Sequence, residues 1–513
     1  MAIITPLKTA AEQQLAEQFA NIKAELPGAG AMRKVREDAF AGFEAKGLPH
    51  RRLESWRYTD LRNLVREAMP LVRRPTRPQA IADRLALQTI AGRRFVTIDG
   101  IFSAADSDLQ GLPHRRLESW RYTDLRNLVR EAMPLVRRPT RPQAIADRLA
   151  LQTIAGRRFV TIDGVSSAED SDLTGLPEGI KARSLAEALT ESPDEIAAAF
   201  TAPEVARDDS ALMLNAAFAQ DGVVIEIADG AELDQPIVLL ALGTGASEAS
   251  IVSRSLVKIG AGAKVTVVEL QESVGPAPVQ INHATSFVIG EGAQVEHVRM
   301  VSRQRAETVQ VQSLLVELGG HASFDSVAVA VNCGVLRQQS FLRYGGEHSR
   351  AALRGINLLR KQEHSDVTLV MDHAAAHGES RELFKTIIEG EGTGVFQGKV
   401  VVRQHSQKTD GSMKSHALLL NDGATMFNKP ELEIFADDVV CGHGATVAQI
   451  DTEQLFYLMA RGLPRPQAEA LVLAAFVGEV SDMVGDEGVR EIVGREIDCW
   501  LGQREGAPKL GAA

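Results

Sequence analysis

Cysteine is scarce in this chain: Cys333, Cys441 and Cys499 are the only three among 513 residues. Three widely separated thiols cannot build a disulfide framework, and a reducing cytoplasm is the compartment such usage implies. Long apolar runs are missing too. None approaches the roughly 18 residues of a membrane-spanning helix, and the opening MAIITPLKTAAEQQLAEQFA turns amphipathic at once, unlike a secretory signal. No membrane association is expected. Basic residues do not predominate either, with 56 Lys and Arg against 67 Asp and Glu and a net charge of −11. A nucleic-acid groove needs a concentrated basic surface, so none is expected. The order GxxxxGK[ST] is absent, so any ATP that drives this system is hydrolysed by another protein.

What is present reads as a soluble globular protein, 44% hydrophobic and 24% charged. Its length implies two or three domains. Residues 47–100 recur without change at 111–164, an offset of 64. A two-unit array would be the functional reading. Solenoid repeats, however, need about three or more units and diverge as end units become caps. Identity over such a length points to a recent duplication or a gene-assembly artefact, in which only one copy can occupy the native place.

Helical spacing covers 7–25 and 31–46, stopped by Pro27-Gly28 and by Gly47-Leu48-Pro49. Each repeat copy reads as a helix (59–69 in the first), an Arg/Pro-rich linker (73–78), a second helix (79–91) and the strand RRFVTIDG. Helices are expected again near 184–191, 193–200 and 209–219. From about residue 222 short β-branched runs alternate with small-residue turns. Marker positions Ala231, Ala263, Ala293, Ala322, Gly394 and Ala424 lie 32, 30, 29, 72 and 30 apart. A period near 30 fits rungs stacked in a coil better than an antiparallel sandwich. Helical spacing returns after Ile450, where Asp451 can cap a helix. The fold expected is mixed: a central right-handed parallel β-helix (221–450) between an N-terminal helical domain (1–220) and a C-terminal helical domain (451–513).

The densest chemistry lies in Pro430 to Gly462, PELEIFADDVVCGHGATVAQIDTEQLFYLMARG. Cys441 and His443 stand two apart after a strand-like run, so alternation puts a thiol and an imidazole on one face, within reach of one soft metal ion or cluster. Gly442 and Gly444 leave little bulk beside them. Two ligands do not close a four-coordinate site, and a bare Cys-x-His also fits a structural role.

The combination of PELEI, ADDV, C-x-HGAT and LFYL-x-x-RG resembles the C-terminal signature of the SufB/SufD family, scaffold subunits of iron–sulfur cluster assembly. SWRYTDLR (Ser55 to Arg62) is similar to an N-terminal pattern of its SufD branch. The SufB branch reads HEAT where this chain has His443-Gly444-Ala445-Thr446, and Gly444 cannot stand in for that carboxylate. The resemblance therefore implies the helper subunit of a SufBCD complex, itself non-catalytic. His443, with Cys441, would serve a transient iron–sulfur cluster shared with a SufB-like partner that meets the β-helix end near 430–450. A SufC-like ATPase would dock on the C-terminal helices, and reduced flavin has been linked to the assembly.

Other candidates are weaker. His373 and His377 have zinc spacing for a helix, but the preceding DVTLVM is strand-like and no HExxH pattern accompanies them. His364, His405 and His416 read as satisfied or exposed histidines, Arg360-Lys361 and Arg403 as solvated faces, and Cys333 and Cys499 as buried small apolar groups. The helix at 466–482 carries Ala470, Leu471, Ala474, Ala475, Phe476, Val477 and Val480, either a local core or a partner stripe. Two rival functions remain: a structural adaptor with Cys441 and His443 inert, and a β-helix enzyme acting on polysaccharide. The latter needs clustered acids on a groove, whereas adjacent Asp437 and Asp438 point to opposite faces of a strand.

Overall fold

The computed structural model describes residues 8–504 apart from 51–52, 66–67, 70, 72–153, 202 and 274. Its centre is a flattened parallel β-solenoid in which strands alternate between two sheets. One sheet runs from Arg157–Ile162 through Ile237–Gly243 and five more strands to Asp410–Leu419 and Val440–Ala448. The other runs from Ile180–Ser184 through Val223–Ile227 to Thr393–Val402 and Thr425–Ile434. Successive rungs pair in parallel at offsets such as 29 (His364 beside Thr393), 32 (Thr393 beside Thr425) and 30 (Asp410 beside Val440). The parallel β-helix read from the period is the architecture observed.

Alternation explains why the coil closes. Along Lys264–Ser273, Val265 and Val267 enter the core between the sheets, while Val268 and Leu270 face outward beneath the C-terminal helices. Helices Arg465–Ser481 and Glu487–Gly502 cover that outer face with Leu473, Val477, Val480, Val493, Ile497 and Trp500. Their burial settles the stripe at 466–482 largely as core. Leu473, Val477 and Val480 are seated against the sheet, and only Leu471 and Ala475 are exposed.

The front end is bound by capped helices. Thr9 and Glu12 form a capping box for Ala10–Ile22, and Asp209 caps Ser210–Phe218 while accepting Trp56 Nε1–H at 2.7 Å. The SWRYTDLR motif of the first copy lies across the second sheet. Arg337 stacks 3.7 Å over Trp56, and Tyr58 stacks on Phe427 at 5.2 Å. The helix expected over 59–69 is shorter, Leu61–Leu64. The helix expected at 79–91 and the linker at 73–78 lie outside the described residues.

The placed parts of the duplication come from different copies. Residues 53–65 and Leu71 belong to the first copy, and strand Arg157–Ile162 to the second. Leu71 bridges to Ser250, and a methyl group on Gly164 would meet Ile251 at 2.9 Å. Both ends of a single unit thus reach the strand Ala249–Ile259. Because the copies are identical, removing any 64-residue window that starts between 47 and 101 encodes the same chain. In that chain 18 residues join Leu71 to Ile154 instead of 82, and a shorter connection carries no larger closure cost. Deletion of 47–110 is expected to leave the melting temperature within a few degrees and partner binding unchanged. Aggregation, or a broad loss of cooperativity on melting, would show that both copies are needed.

Candidate functional site

Cys441 and His443 sit on the last strand, Val440–Ala448, which closes one sheet and, among the described residues, has a neighbour on one side only. Its entry turn is tied down: Lys408 N–H donates to Asp438 O at 2.6 Å and Asp438 N–H to Gln407 Oε1 at 2.9 Å. Register places Cys441 beside Gly411 and His443 beside Met413. Met413 is a core residue, so its column faces inward, and Cys441 packs against the same core. Both side chains therefore belong to the inward column of the terminal rung, where the solenoid opens. Cys441 is half-buried and His443 exposed.

On the outer face, methyl groups at Gly442 and Gly444 would meet nothing within 4 Å. The opposite strand Thr425–Ile434 is also terminal, and its register puts Met426, Asn428, Pro430 and Leu432 on the inward face. Ser415 Oγ–H donates to Asn428 Oδ1 at 2.7 Å across the lumen. Around this mouth Ile434, Phe435, Val440 and Val447 are all exposed, Phe435 at 60% and Val440 at 73%. An uncovered pair of edge strands with apolar side chains is a template for another chain.

Below the mouth lies a buried polar group that pattern reading missed. A methyl group at Gly411 would stand 3.2 Å from Ser380 Oγ and 3.4 Å from Cys441 Sγ. Glycine thus leaves a gap between thiol and hydroxyl. Beside Ser380 are Glu382, Tyr344 and His373; the Ser380 hydroxyl lies within reach of Glu382 and Tyr344, and among the described residues both His373 ring nitrogens lack hydrogen-bond partners. His373 stacks on Tyr344 at 4.0 Å. Burial pushes the Glu382 carboxyl up to about 8 and His373 down to about 3, so both stay neutral near pH 7. Burial, aided by Asp410 and Glu382, also raises the Cys441 thiol, and a hydrogen bond with the Gly411 backbone opposes it. The thiol is therefore protonated until a metal or partner displaces its proton. Finding this group needed the strand register, which brings together residues from three rungs.

The other candidates divide. Cys333 is buried, its thiol donating to Val301 O and Val331 O, and burial drives its pKa up. Cys499, expected to be buried, is exposed, because it lies on the outer side of Glu487–Gly502. Arg360 is no solvated face: its guanidinium lies 4.3 Å over Trp500 and donates to Trp500 O at 2.6 Å, pinning the last helix. Arg403 pairs with buried Asp372 at 2.7 Å. His364 meets Thr59 Oγ1, His405 the Ala374 carbonyl and His416 Thr446 Oγ1. His373 and His377 do not share a face, the first buried in the lumen and the second exposed at a turn.

Donor chemistry at the mouth suits iron but is incomplete. Among the described residues no group of three His, Cys, Asp or Glu side chains could hold a metal ion. Flavin finds no seat in the interior cavity beside Glu269 and His283, which measures about 20 Å³, room for about one water. No helix among the described residues is long and apolar enough to cross a membrane.

Residues 242–476 match the family model described as "SUF system FeS cluster assembly, SufBD core domain". Residues 9–73 and 102–239 match "SufBD protein N-terminal region". The chain is 30% identical over 398 residues to the iron-sulfur cluster assembly protein SufD of Escherichia coli (strain K12), covering 77% of this chain and 89% of that one. It is 28% identical to an iron-sulfur cluster assembly SufBD family protein of Synechocystis, covering 74% and 86%. With the chloroplastic protein ABCI7 of Arabidopsis thaliana the identity is 26%, covering 74% and 80%.

Proposed function

The chain belongs to the SufB/SufD family of iron–sulfur cluster assembly proteins and is SufD-like, and from that premise we propose that it is the non-catalytic scaffold subunit of a cytoplasmic SufBCD complex. The open end of the solenoid pairs with a SufB-like subunit. His443, with Cys441 beside it, offers donors to a nascent cluster whose remaining ligands come from that partner. The cluster is cargo, made and passed on, which suits two exposed donors better than a closed four-ligand cage.

The observation that carries this reading is the mouth itself. A donor pair stands on an uncapped edge strand, ringed by exposed apolar side chains, with two glycines beside it that allow close approach of another backbone. The neighbouring helix Thr452–Ala460 exposes Phe456 at 74%, Tyr457 at 57% and Met459 at 43%. That face is our candidate seat for the SufC-like ATPase, in place of the stripe buried against the sheet. Truncation at Ile450 would strip the sheet's cover along with any docking surface, so point variants are the cleaner probe.

Val447 faces inward at the mouth, beside Ala417. Val447→Asp is expected to weaken retention of a tagged SufB-like partner more than tenfold, the effect of about 2 kcal/mol from burying an unpaired charge. Phe456→Ala should instead weaken only the ATPase. Undiminished SufB-like retention by Val447→Asp would overturn the assignment of the open end. The adaptor reading, with Cys441 and His443 inert, draws its support from the absence of a third donor among the described residues, and loss of cluster on changing His443 would exclude it.

A further inference from the structure

The seat of SWRYTDLR on the second sheet reads particular side chains. Trp56, 1% exposed, lies between the Arg337 guanidinium, 3.7 Å over its ring, and the Asp209 carboxylate, which accepts its Nε1–H at 2.7 Å. Thr59 Oγ1–H donates to Asp366, and Asp60 Oδ1 accepts Asn63 N–H at 3.1 Å. Leu61 and Leu64 complete a small core with Ala211, Val309, Val311 and Val335. The flanks are fixed as well. Leu48 N–H donates to Glu12 Oε1 at 2.8 Å, Arg62 N–H to Pro49 O at 3.0 Å, and Leu71 bridges to Ser250. All of these contacts are made by the first copy of the duplicated unit.

Every one of them has a second claimant in the same chain. Leu112, Trp120, Thr123, Asp124, Leu125 and Leu135 repeat Leu48, Trp56, Thr59, Asp60, Leu61 and Leu71. We propose that Ser119–Arg126 is a second occupant of this seat, exchanging with Ser55–Arg62 within one molecule. The side chains are identical, so the seat holds either copy equally well, and only the connecting chain tells them apart. With the first copy seated, 82 residues join Leu71 to Ile154. With the second seated from Gly111, 64 residues loop out between Lys46 and Gly111, and 18 join Leu135 to Ile154. Closure probability falls about as the three-halves power of loop length, so free connections favour the first copy by a factor of about fifty.

The second arrangement is thus a minor state, and the chain falls back on it when the first copy is damaged. Exchange between molecules gains nothing, since each chain brings two motifs and one seat. A tethered copy also acts at an effective concentration on the order of millimolar. Trp56→Ala with Leu61→Ala removes two buried anchors, a loss of about a thousandfold or more in the folded-to-unfolded ratio where the seat has a single claimant. With the second copy available, the loss should stop near fiftyfold. Adding Trp120→Ala and Leu125→Ala should bring the full loss. In the chain lacking 47–110, those last two changes alone should produce it.

Urea denaturation of the full chain, followed by circular dichroism, reads these losses, and a crosslink reads the occupant directly. Tyr58 stacks on Phe427 with centroids 5.2 Å apart, so Phe427→Cys should oxidise onto Tyr58→Cys in the otherwise unchanged chain. When Trp56→Ala and Leu61→Ala are present, Phe427→Cys should instead link to Tyr122→Cys, identified by mass spectrometry of peptides from the monomer. The proposal is overturned by a loss as large with the first copy altered as with both, or by a chain altered in both copies that is as stable as the parent. It is equally overturned if Tyr122→Cys forms no link with Phe427→Cys, or forms it only in a dimer.

Discussion

Truncation of Arg337 to alanine is expected to destabilise the fold by about 3–5 kcal/mol, the range for breaking a buried ion pair on one side only. Its side chain is 1% exposed and that of Asp366 is fully buried, with Nη1 and Oδ2 2.8 Å apart. The guanidinium also donates to Ser55 O at 2.6 Å and to Gln339 Oε1 at 3.2 Å while covering the Trp56 ring. Asp366 accepts the Thr59 hydroxyl as well, and Thr368 Oγ1–H at 2.9 Å. One pair thus fastens SWRYTDLR to the second sheet. Removing the arginine leaves a carboxylate buried with only hydroxyl donors. Asp366→Asn should cost less, and Arg337→Met with Asp366→Leu less than the sum of the single changes, since the two residues act as a unit. Urea denaturation measures the cost, and limited proteolysis should release residues 53–65 first. A loss below about 1 kcal/mol, within the range of an exposed pair, would mean that the stacked tryptophan holds the motif without the charge.

Why was the solenoid legible and its interior not? Period and small-residue turns mark a rung wherever the corner takes glycine, as at Gly262 and Gly292. The 72-residue gap between Ala322 and Gly394 is not a whole number of rungs, because Ala322 precedes a strand of one sheet, Ser323–Val331, and Gly394 lies in a strand of the other, Thr393–Val402. The small-residue signal passes from one corner of the coil to the other there, and the period is lost across the change. The pairing of Cys441 with His443 on one face needed only strand alternation, and the inward column at the mouth has that arrangement. Glu382 could not be found this way. It stands beside Leu353 and Met413 in neighbouring rungs, and only register, which sequence period does not fix to the residue, reveals a carboxyl among apolar neighbours. Cys499 misled for a simpler reason: thiols are usually buried, but the apolar stripe of its helix runs through Val493, Ile497 and Trp500.

Replacing His443 by alanine is expected to cut the iron and sulfide content of a reconstituted three-subunit complex about tenfold or more, since loss of a direct ligand should exceed the 10–100-fold typical even of outer-shell changes. The complex should still assemble. The ring is exposed and lies over Met413 at an open end, so its removal takes away little packing. Cys441→Ala should do less harm, because that thiol is half-buried, held protonated, and packed against the core. The two variants therefore separate ligation from packing. Loss of cluster with an unchanged gel-filtration profile assigns His443 to the cargo, whereas loss of both would mean that the mouth itself had been disturbed. Val447→Asp supplies the contrast, since it should lose the SufB-like partner first and the cluster only in consequence. Full iron and sulfide loading with His443→Ala would leave the structural adaptor as the standing reading, with the open end serving assembly alone.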